Sequence, residues 1–301
     1  MRAGRPAARA LFACVVALGL AGAGRGAHAA ACGDPREAAT GPLPGGTDAA
    51  DFGAIPEACA GTDVGLRLRG AALIASDAPD FFGDIVATST LRLRHRIGRT
   101  GRTWLSLAAD ILTYRYVVNG NVISDGFAFG PPTLGLHRAL GSGEHVAATI
   151  YGRALLPLDT ARANSVRTGL EVGATLRLPL PLPFRGPLGE SGRWGIEGGL
   201  GLLGPLVVVG GQTHGTLEPV ALVEGWFSVR PRFALFAGAA AKGEVAPDAT
   251  LRTLAPRFAL RWVSRRGLAL SFLAEAPVVG ADRTDAIVAF FLGWAAPAPA
   301  P

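Results

Sequence analysis

The stretch Val166–Leu178 alternates apolar and polar side chains over thirteen consecutive positions. Leucine, valine and alanine fill most of its even positions, whereas Arg167, Glu171 and Arg177 stand on odd ones. A period of two places these two sets on opposite faces of a β-strand. The strand is about twice as long as a usual strand of a soluble sheet, and a tilted strand of this length crosses a bilayer. The pattern therefore predicts a membrane-crossing strand with one apolar face and one charged face.

The N-terminus has the composition of a secretory signal peptide. A basic start that includes Arg2 and Arg5 precedes the apolar stretch Ala10–Ala23, and Ala27-His28-Ala29 has the small residues of a cleavage site. We expect residues 1–29 to be removed on export. A retained membrane anchor is the alternative, and the short, glycine-containing apolar stretch disfavours it.

Charge and hydropathy exclude one class of partner and favour one class of fold. The chain has 29 lysines and arginines against 23 acidic residues, and four arginines leave with the signal peptide, so the remaining net charge is +2. The basic isoelectric point is therefore no evidence for a nucleic-acid partner, and none is expected. A mean hydropathy of +0.32 together with 42 glycines and 22 prolines is typical of a membrane β-barrel.

Two cysteines, Cys32 and Cys59, remain after removal of the signal peptide. In an oxidising compartment we expect them to form a disulfide. The alternative is a lipid-modified Cys32, but Ala29-Ala30-Ala31 lacks the bulky aliphatic residue expected three positions before such a cysteine. Residues 30–61 are rich in Pro, Gly and Ala without periodicity, which predicts a periplasmic extension or a small plug.

The rest of the chain divides into twelve alternating segments. Their approximate bounds are 62–75, 85–97, 103–115, 130–140, 144–156, 165–178, 193–204, 216–229, 232–242, 251–263, 267–275 and 284–294. The connections alternate in length, as in barrels with short turns on one side and long loops on the other. Tight turns are predicted at Arg99–Arg102, Gly141–Gly143, Arg230–Pro231 and Ser264–Gly267. Longer loops are predicted at Ser76–Asp84, Tyr116–Phe129, Pro157–Asn164, Pro205–Gly215, Gly243–Thr250 and Ala276–Arg283. The Pro-rich run Pro179–Glu190, where a short turn is expected, is the one exception.

The tryptophans lie close to the short-turn ends or to the end of the last segment. They are Trp104, Trp194, Trp226, Trp262 and Trp294. Indole rings favour the level of the lipid headgroups, so these residues predict an aromatic rim on the short-turn side. Strand parity places Trp104 and Trp226 on the inward face and the other three outward. Ordinary core tryptophans are the alternative, and clustering at one end disfavours it.

The chain resembles the Gram-negative outer-membrane β-barrel proteins of the porin-like or transporter type. Its last segment, Ala286–Trp294, resembles the C-terminal signal that the barrel-assembly machinery reads, although the tail 295–301, expected to be disordered, follows the aromatic residue. The resemblance covers residues 62–294 and implies an all-β, antiparallel up-and-down transmembrane barrel of about twelve strands in the outer membrane. The implied partners are outer-membrane lipid and lipopolysaccharide, and the assembly machinery through the last strand.

Strand parity also predicts which charged residues line the lumen, because an arginine facing mid-bilayer lipid costs about 2–4 kcal/mol. The predicted lumen-lining residues are Arg67, Arg69, Arg92, Arg94, Arg153, Arg167, Glu171, Arg177, Glu197, Glu218, Glu224, Arg257, Arg261 and Glu275. Cations exceed anions in this set, which favours a channel or transporter for small solutes, anionic ones above all. A closed structural barrel that interacts with lipid or partners is the alternative.

Acidic residues gather on the predicted long-loop side, among them Asp84, Asp125 and Glu244. They form a solvated surface, or they share divalent cations with the phosphates of surface lipid.

No catalytic residue, metal site or cofactor is expected. None of His95, His137, His145 and His214 is followed two positions later by Ser, the spacing at which neighbouring side chains of a strand meet. Histidine, cysteine and acidic residues do not gather at metal-ligand spacing. A lipid-modifying hydrolase and a soluble secreted β-sandwich remain as alternatives.

Overall fold

The structure, a computed structural model, describes thirteen stretches of the chain. They are residues 55–56, 62–75, 82–97, 102–119, 122–143, 146–157, 165–185, 191–209, 212–230, 233–245, 250–264, 266–279 and 286–295. The regular structure in these stretches is entirely β. No helix within them is long and apolar enough to span a membrane.

The described residues form fourteen strands. They are β1 (Asp63–Ala75), β2 (Phe82–Ile97), β3 (Thr103–Asn119), β4 (Val122–Ala128), β5 (Thr133–Gly143), β6 (Val146–Leu155), β7 (Ser165–Arg185), β8 (Ser191–Val209), β9 (Gln212–Gly215), β10 (Glu218–Arg230), β11 (Phe233–Glu244), β12 (Thr250–Val263), β13 (Leu268–Glu275) and β14 (Ala286–Ala295).

These strands close into an antiparallel barrel of twelve positions. The last strand, β14, pairs with β1 and completes the ring. Two positions hold two strands each, because β3 pairs with β4 near one end and with β5 near the other, and β8 pairs in the same way with β9 and β10. The predicted all-β, up-and-down barrel of about twelve strands is confirmed.

Two of the predicted long loops are wrong. The first, Tyr116–Phe129, is largely the hairpin of β3 and β4, and the second, Pro205–Gly215, is largely the hairpin of β8 and β9. Both contain runs of β-branched residues, such as Val207–Val209, whose side chains pack well on a pleated strand. The barrel wall therefore extends further than the sequence predicts at these two places.

The Pro-rich run Pro179–Glu190 does not break the alternation of short and long connections. Strand β7 continues through Pro179, Pro181 and Pro183 to Arg185, so the connection to β8 comprises only residues 186–190. Register with β6 ends at Arg177, and the prolines lie beyond it, where β7 pairs with β8 alone. A proline lacks a backbone N–H, and a strand with a ladder on one side tolerates that loss.

Burial alternates along the strands, so each strand has an inner and an outer face. In β7, Leu170 and Val172 are 68% and 58% exposed, whereas Glu171 between them is 1% exposed. The same alternation leaves apolar residues on the outer face of other strands, including Leu66, Leu91, Leu136, Val223 and Phe258. An apolar outer band around a polar interior is the arrangement of membrane barrels.

Candidate functional site

The interior of the barrel holds most of the charged residues that strand parity selects. Ten of the predicted lumen-lining residues are buried: Arg67, Arg92, Arg94, Arg153, Glu171, Arg177, Glu197, Glu224, Arg257 and Arg261. Glu218 and Glu275 are partly buried, and Arg69 and Arg167 are exposed although they share a strand face with buried neighbours.

One side of the interior, which we call the paired wall, consists of inward residues on β6, β7, β8, β10, β12 and β13. Arg153 on β6 donates from Nη2 to Oε1 of Glu171 on β7 at 2.5 Å, and both side chains are buried. The Tyr151 hydroxyl donates to the same carboxylate oxygen at 3.1 Å. Glu171 is thus held by two donors from the neighbouring strand.

The paired wall continues along one row of the sheet. Arg177 pairs with Glu197 at 3.2 Å, and the Arg257 guanidinium lies 3.4 Å from Glu224 and 3.7 Å from Glu275. The register places the five charged residues in one row across the sheet, and Gly238 of β11 lies in this row between Glu224 and Arg257.

Gly238 is required for this row. A Cβ at its position would overlap the Val223 carbonyl oxygen and lie 2.6 Å from the Glu224 Cβ. Its missing side chain lets Arg257 reach across β11 to Glu224.

A second side, which we call the arginine wall, consists of Arg67 on β1 and Arg92 and Arg94 on β2. Arg67 donates to the Thr90 hydroxyl at 3.4 Å, and Thr90 in turn donates to Asp110 at 2.6 Å. Thr90 therefore links Arg67 to Asp110. Arg92 lies over the Phe291 ring at 5.6 Å from its centroid.

In the described part of the chain, buried cationic residues outnumber buried anionic residues. Seven arginines and four glutamates are buried, an excess of three positive charges.

Four arginines lie over aromatic rings of the inner wall. The distances from guanidinium carbon to ring centroid are 5.6 Å for Arg92–Phe291, 4.8 Å for Arg153–Tyr151, 4.3 Å for Arg177–Trp226 and 4.2 Å for Arg261–Phe236. Sequence reasoning identified only the tryptophan of these rings. The strand parity that predicts the charged lumen residues also places Tyr151, Phe236 and Phe291 on the inner face, so it is the signal that could have identified them.

The interior also contains an apolar patch. Leu203 on β8 and Val220 and Leu222 on β10 are buried around Ile55, with Ala240 packed beside them. Ile55 and Pro56 are the described part of the predicted extension or plug, and both are buried.

One Ser–His contact escaped the sequence analysis because it crosses strands. Ser106 Oγ on β3 and His137 Nε2 on β5 share a hydrogen bond of 2.8 Å. The His137 ring stacks on Tyr151 at 5.9 Å, and both members of the pair are buried. Gly135 leaves room for the contact, since a Cβ there would overlap the Ser106 hydroxyl. A buried pair of this kind stabilises the inner wall, and a substrate would reach the hydroxyl only after rearrangement of its neighbours.

The five tryptophans divide into two groups. Trp104 and Trp226 are buried, whereas Trp194, Trp262 and Trp294 are exposed. Trp294 donates from its indole nitrogen to the Arg266 carbonyl at 3.0 Å, which fastens it to the turn between β12 and β13. In that turn Gly267 has a φ of 88°, a conformation that favours glycine.

Several predicted features lie outside the described residues, namely the signal peptide, Cys32, Cys59 and most acidic residues of the long loops. Asp84 and Asp125 lie within β2 and β4. Glu244 is a correction: it is buried at the end of β11 and pairs with Arg252, so it is not part of a solvated loop surface. Within the described stretches no group of three or more metal-ligating residues gathers.

Comparison with known proteins relates the chain to solved structures only. No protein-family model matches, and no curated protein matches. An outer membrane channel from Pseudomonas putida F1 superposes with a TM-score of 0.58 at 13% identity, over 82% of this chain and 98% of that chain. The translocator domain of the autotransporter NalP from Neisseria meningitidis gives 0.47 at 12% identity, over 77% and 87%. The transport unit of the autotransporter AIDA-I from Escherichia coli gives 0.47 at 11% identity, over 78% and 89%. The chain has the fold of the outer-membrane β-barrel proteins, as its sequence predicts.

Proposed function

We propose that the chain forms an outer-membrane channel or transporter for small anionic solutes. The excess of buried arginine over buried glutamate on the inner wall carries this proposal. The similarity in fold to a protein described as an outer membrane channel supports it. Positive charge inside a narrow passage raises the local concentration of anions and lowers that of cations.

The two walls have different parts in this function. On the paired wall, Arg153, Arg177 and Arg257 each face a carboxylate, so these charges are paired and the strands are tied together. On the arginine wall, Arg67, Arg92 and Arg94 are buried on two adjacent strands. We assign transient anion binding to the arginine wall because guanidinium groups recognise carboxylates and phosphates through a planar fork of donors.

Single-channel recording in planar bilayers tests the proposal. We expect the purified chain to conduct with anion preference, and we expect the double variant R92Q/R94Q to reduce that preference several-fold because two charges leave the arginine wall. R138Q is the matched control, since Arg138 on β5 is exposed on the opposite face of its strand from buried His137. A barrel that does not conduct, or that prefers cations, contradicts the proposal and favours the closed structural barrel.

We infer that residues 30–61 contribute a plug, rather than a free periplasmic extension. The burial of Ile55 against Leu203, Val220 and Leu222 supports this. Residues 30–61 contain five acidic residues and one arginine, a charge that complements the positive interior. A disulfide between Cys32 and Cys59 would hold the segment in a loop.

Substitution of Ile55 tests the plug. I55D places a charge in an apolar patch, and we expect it to release the segment and raise the single-channel conductance. I55V keeps an apolar side chain and should conduct like the unmodified protein. Equal conductance of all three proteins would contradict a plug anchored at Ile55.

The remaining proposals concern the outer surface of the barrel. The exposed Trp194, Trp262 and Trp294 would lie at the lipid headgroups, where an indole has both apolar and polar partners. Lipopolysaccharide would contact the loop end of the barrel, and the assembly machinery would bind the exposed face of β14.

A further inference from the structure

The apolar patch on the inner wall encloses one side chain from the N-terminal part of the chain, Ile55. We propose that this patch is a binding site for small carboxylates with a branched aliphatic group, and that such a solute displaces Ile55 from it. This inference rests on the proposed function, because it names the class of anion that would bind and adds that the solute itself releases the plug.

The binding site, which we call the Ile55 seat, is formed by β8 and β10. Leu203, Val220 and Leu222 are each 5% exposed or less, and they pack around Ile55, which is 6% exposed. The seat therefore encloses a single branched aliphatic side chain.

Gly199 of β8 gives the seat its depth. A Cβ at this position would lie 2.6 Å from Cγ2 of Ile55 and 2.8 Å from Cγ2 of Thr175 on β7. Because Gly199 has no side chain, the branched end of Ile55 approaches the backbone of the wall. The space at this position has the size of a methyl group, which suits a branched aliphatic group.

A buried hydroxyl group borders the seat. Thr175 is 3% exposed, and its Oγ1 has no hydrogen-bond partner in the part of the chain that the structure describes. Buried hydroxyl groups are normally hydrogen-bonded, and the side chain of Ile55 has no acceptor to offer. A carboxylate attached to a branched aliphatic group would accept a hydrogen bond from Thr175, so a solute of this class has a contact that Ile55 lacks.

Ile55 approaches the seat from the opposite side of the barrel. Thr62, the next described residue after Pro56, accepts a hydrogen bond from the backbone N–H of Arg96 on β2 at 3.1 Å. In the ring of twelve positions, β2 lies six steps from β10. Ile55 and Pro56 belong to no strand, so the seat holds Ile55 by burial of its side chain and not by a strand ladder.

A contact of this strength can be displaced. Burial of one aliphatic side chain favours the bound state by about ten- to a hundredfold. A tethered group has an effective concentration on the order of millimolar, so a free solute at about 10 mM is expected to compete with it.

Disulfide trapping in the full chain with C32S and C59S tests the seat. We expect I55C/L222C to cross-link on mild oxidation and I55C/V223C to cross-link little, because Val223 is 63% exposed on the opposite face of β10. 3-Methylbutanoate at about 10 mM should slow the first reaction several-fold. Acetate at the same concentration should not, because it lacks the branched group. Mass spectrometry of the linked peptides gives the rates, after heat-modifiable migration has shown that each barrel is folded.

T175V in the same background separates the hydroxyl from the shape of the seat. Valine keeps the branched shape and lacks the donor. We expect an unchanged cross-linking rate without solute, and a several-fold higher concentration of 3-methylbutanoate for the same slowing. The same concentration dependence with and without T175V would contradict the assignment of Thr175 as the donor.

The outcomes separate this inference from the proposed function. If I55C/L222C cross-links and 3-methylbutanoate leaves its rate unchanged, or acetate slows it equally, the seat does not bind branched carboxylates and the inference is wrong, while the plug and the anion channel stand. If I55C reacts no faster with L222C than with V223C, Ile55 does not occupy the seat, and the inference and the plug both fail. If L222C prevents folding, V220C takes its place under the same criteria. The anion preference is decided separately, by the bilayer recordings of R92Q/R94Q.

Discussion

The paired wall and the arginine wall belong to one ring of strands, yet they hold their cations in different ways. On the paired wall, Arg153 and Glu171 lie on adjacent strands and neutralise each other. On the arginine wall, Arg67 donates to the hydroxyl of Thr90, which in turn donates to Asp110. The same residue type thus joins strands through ion pairs on one side and contacts hydroxyl groups and a ring on the other.

The difference teaches that the number of arginines in a lumen does not measure its charge. A buried ion pair contributes little net field, and breaking it leaves an uncompensated charge in a low-dielectric site. Stability should therefore depend chiefly on the ion pairs of the paired wall, and under the proposed function substitutions on the arginine wall test the anion preference.

The largest effect is expected from E171Q on the paired wall. The substitution leaves Arg153 buried without its carboxylate and weakens the acceptor of the Tyr151 hydroxyl. We expect the free energy of unfolding to fall by about 3 kcal/mol or more, measured by urea unfolding of the reconstituted barrel. E218Q is the control, because the Glu218–Lys242 pair is 14% and 38% exposed and such pairs contribute about 1 kcal/mol or less. Equal losses in the two variants would remove the distinction between the walls.

A smaller effect is expected where the paired wall is closely packed. G238A introduces a methyl group against the Val223 carbonyl, which belongs to the backbone of β10 and cannot rotate away. We expect a loss of about 1–3 kcal/mol in unfolding free energy. At Gly225 the nearest atoms to an added Cβ are 3.9 Å away, so G225A should unfold like the unmodified protein. A stable G238A barrel would show that the row from Arg177 to Glu275 tolerates a shift of β11.

The smallest effect on stability is expected from R92Q on the arginine wall. The variant loses the contact with the Phe291 ring, worth about 0.5–1 kcal/mol. We expect the free energy of unfolding to change by less than half of the loss in E171Q, in the same urea titration. A loss as large as that of E171Q would mean that Arg92 also fastens the barrel.

Several elements of the fold were predictable because they depend on local sequence. The alternation of Val166–Leu178 predicts β7 and its two faces, and the turn at Ser264–Gly267 requires only residues that favour tight turns. The β3–β4 hairpin does not stand out in the sequence, because polar and glycine residues of the kind found near its tip are also typical of loops. Its pairing with the rest of the wall depends on contacts between strands that are distant in sequence.

Strand parity also fails where the register shifts. Between Ser89 and Thr90 the pairing of β2 with β3 skips one residue, and Ile111 and Leu112 are both exposed next to each other. A bulge of this kind turns every later side chain of the strand to the other face. No residue type in β3 marks the position of this bulge, so parity counted from Trp104 is valid only up to it.

The candidate site, like the fold, was predictable from the local sequence only in part. Parity alone selected ten of the eleven charged residues that are buried in the described part of the chain, because a charge is costly on the lipid face and strands have a fixed period. It did not select the partners of these charges. The Ser106–His137 contact and the Arg261–Phe236 stack each join residues more than twenty positions apart.

By itself, the sequence of this protein determined a membrane barrel of about twelve strands and the face of the strand on which most of its buried charged residues lie. Both follow from a period of two and from the cost of a charge in lipid, which act on each strand separately. Only the tertiary structure decided which arginines meet a carboxylate and which meet a ring. The register between strands, set by turns and bulges along the whole chain, brings these partners together, and no local pattern encodes it.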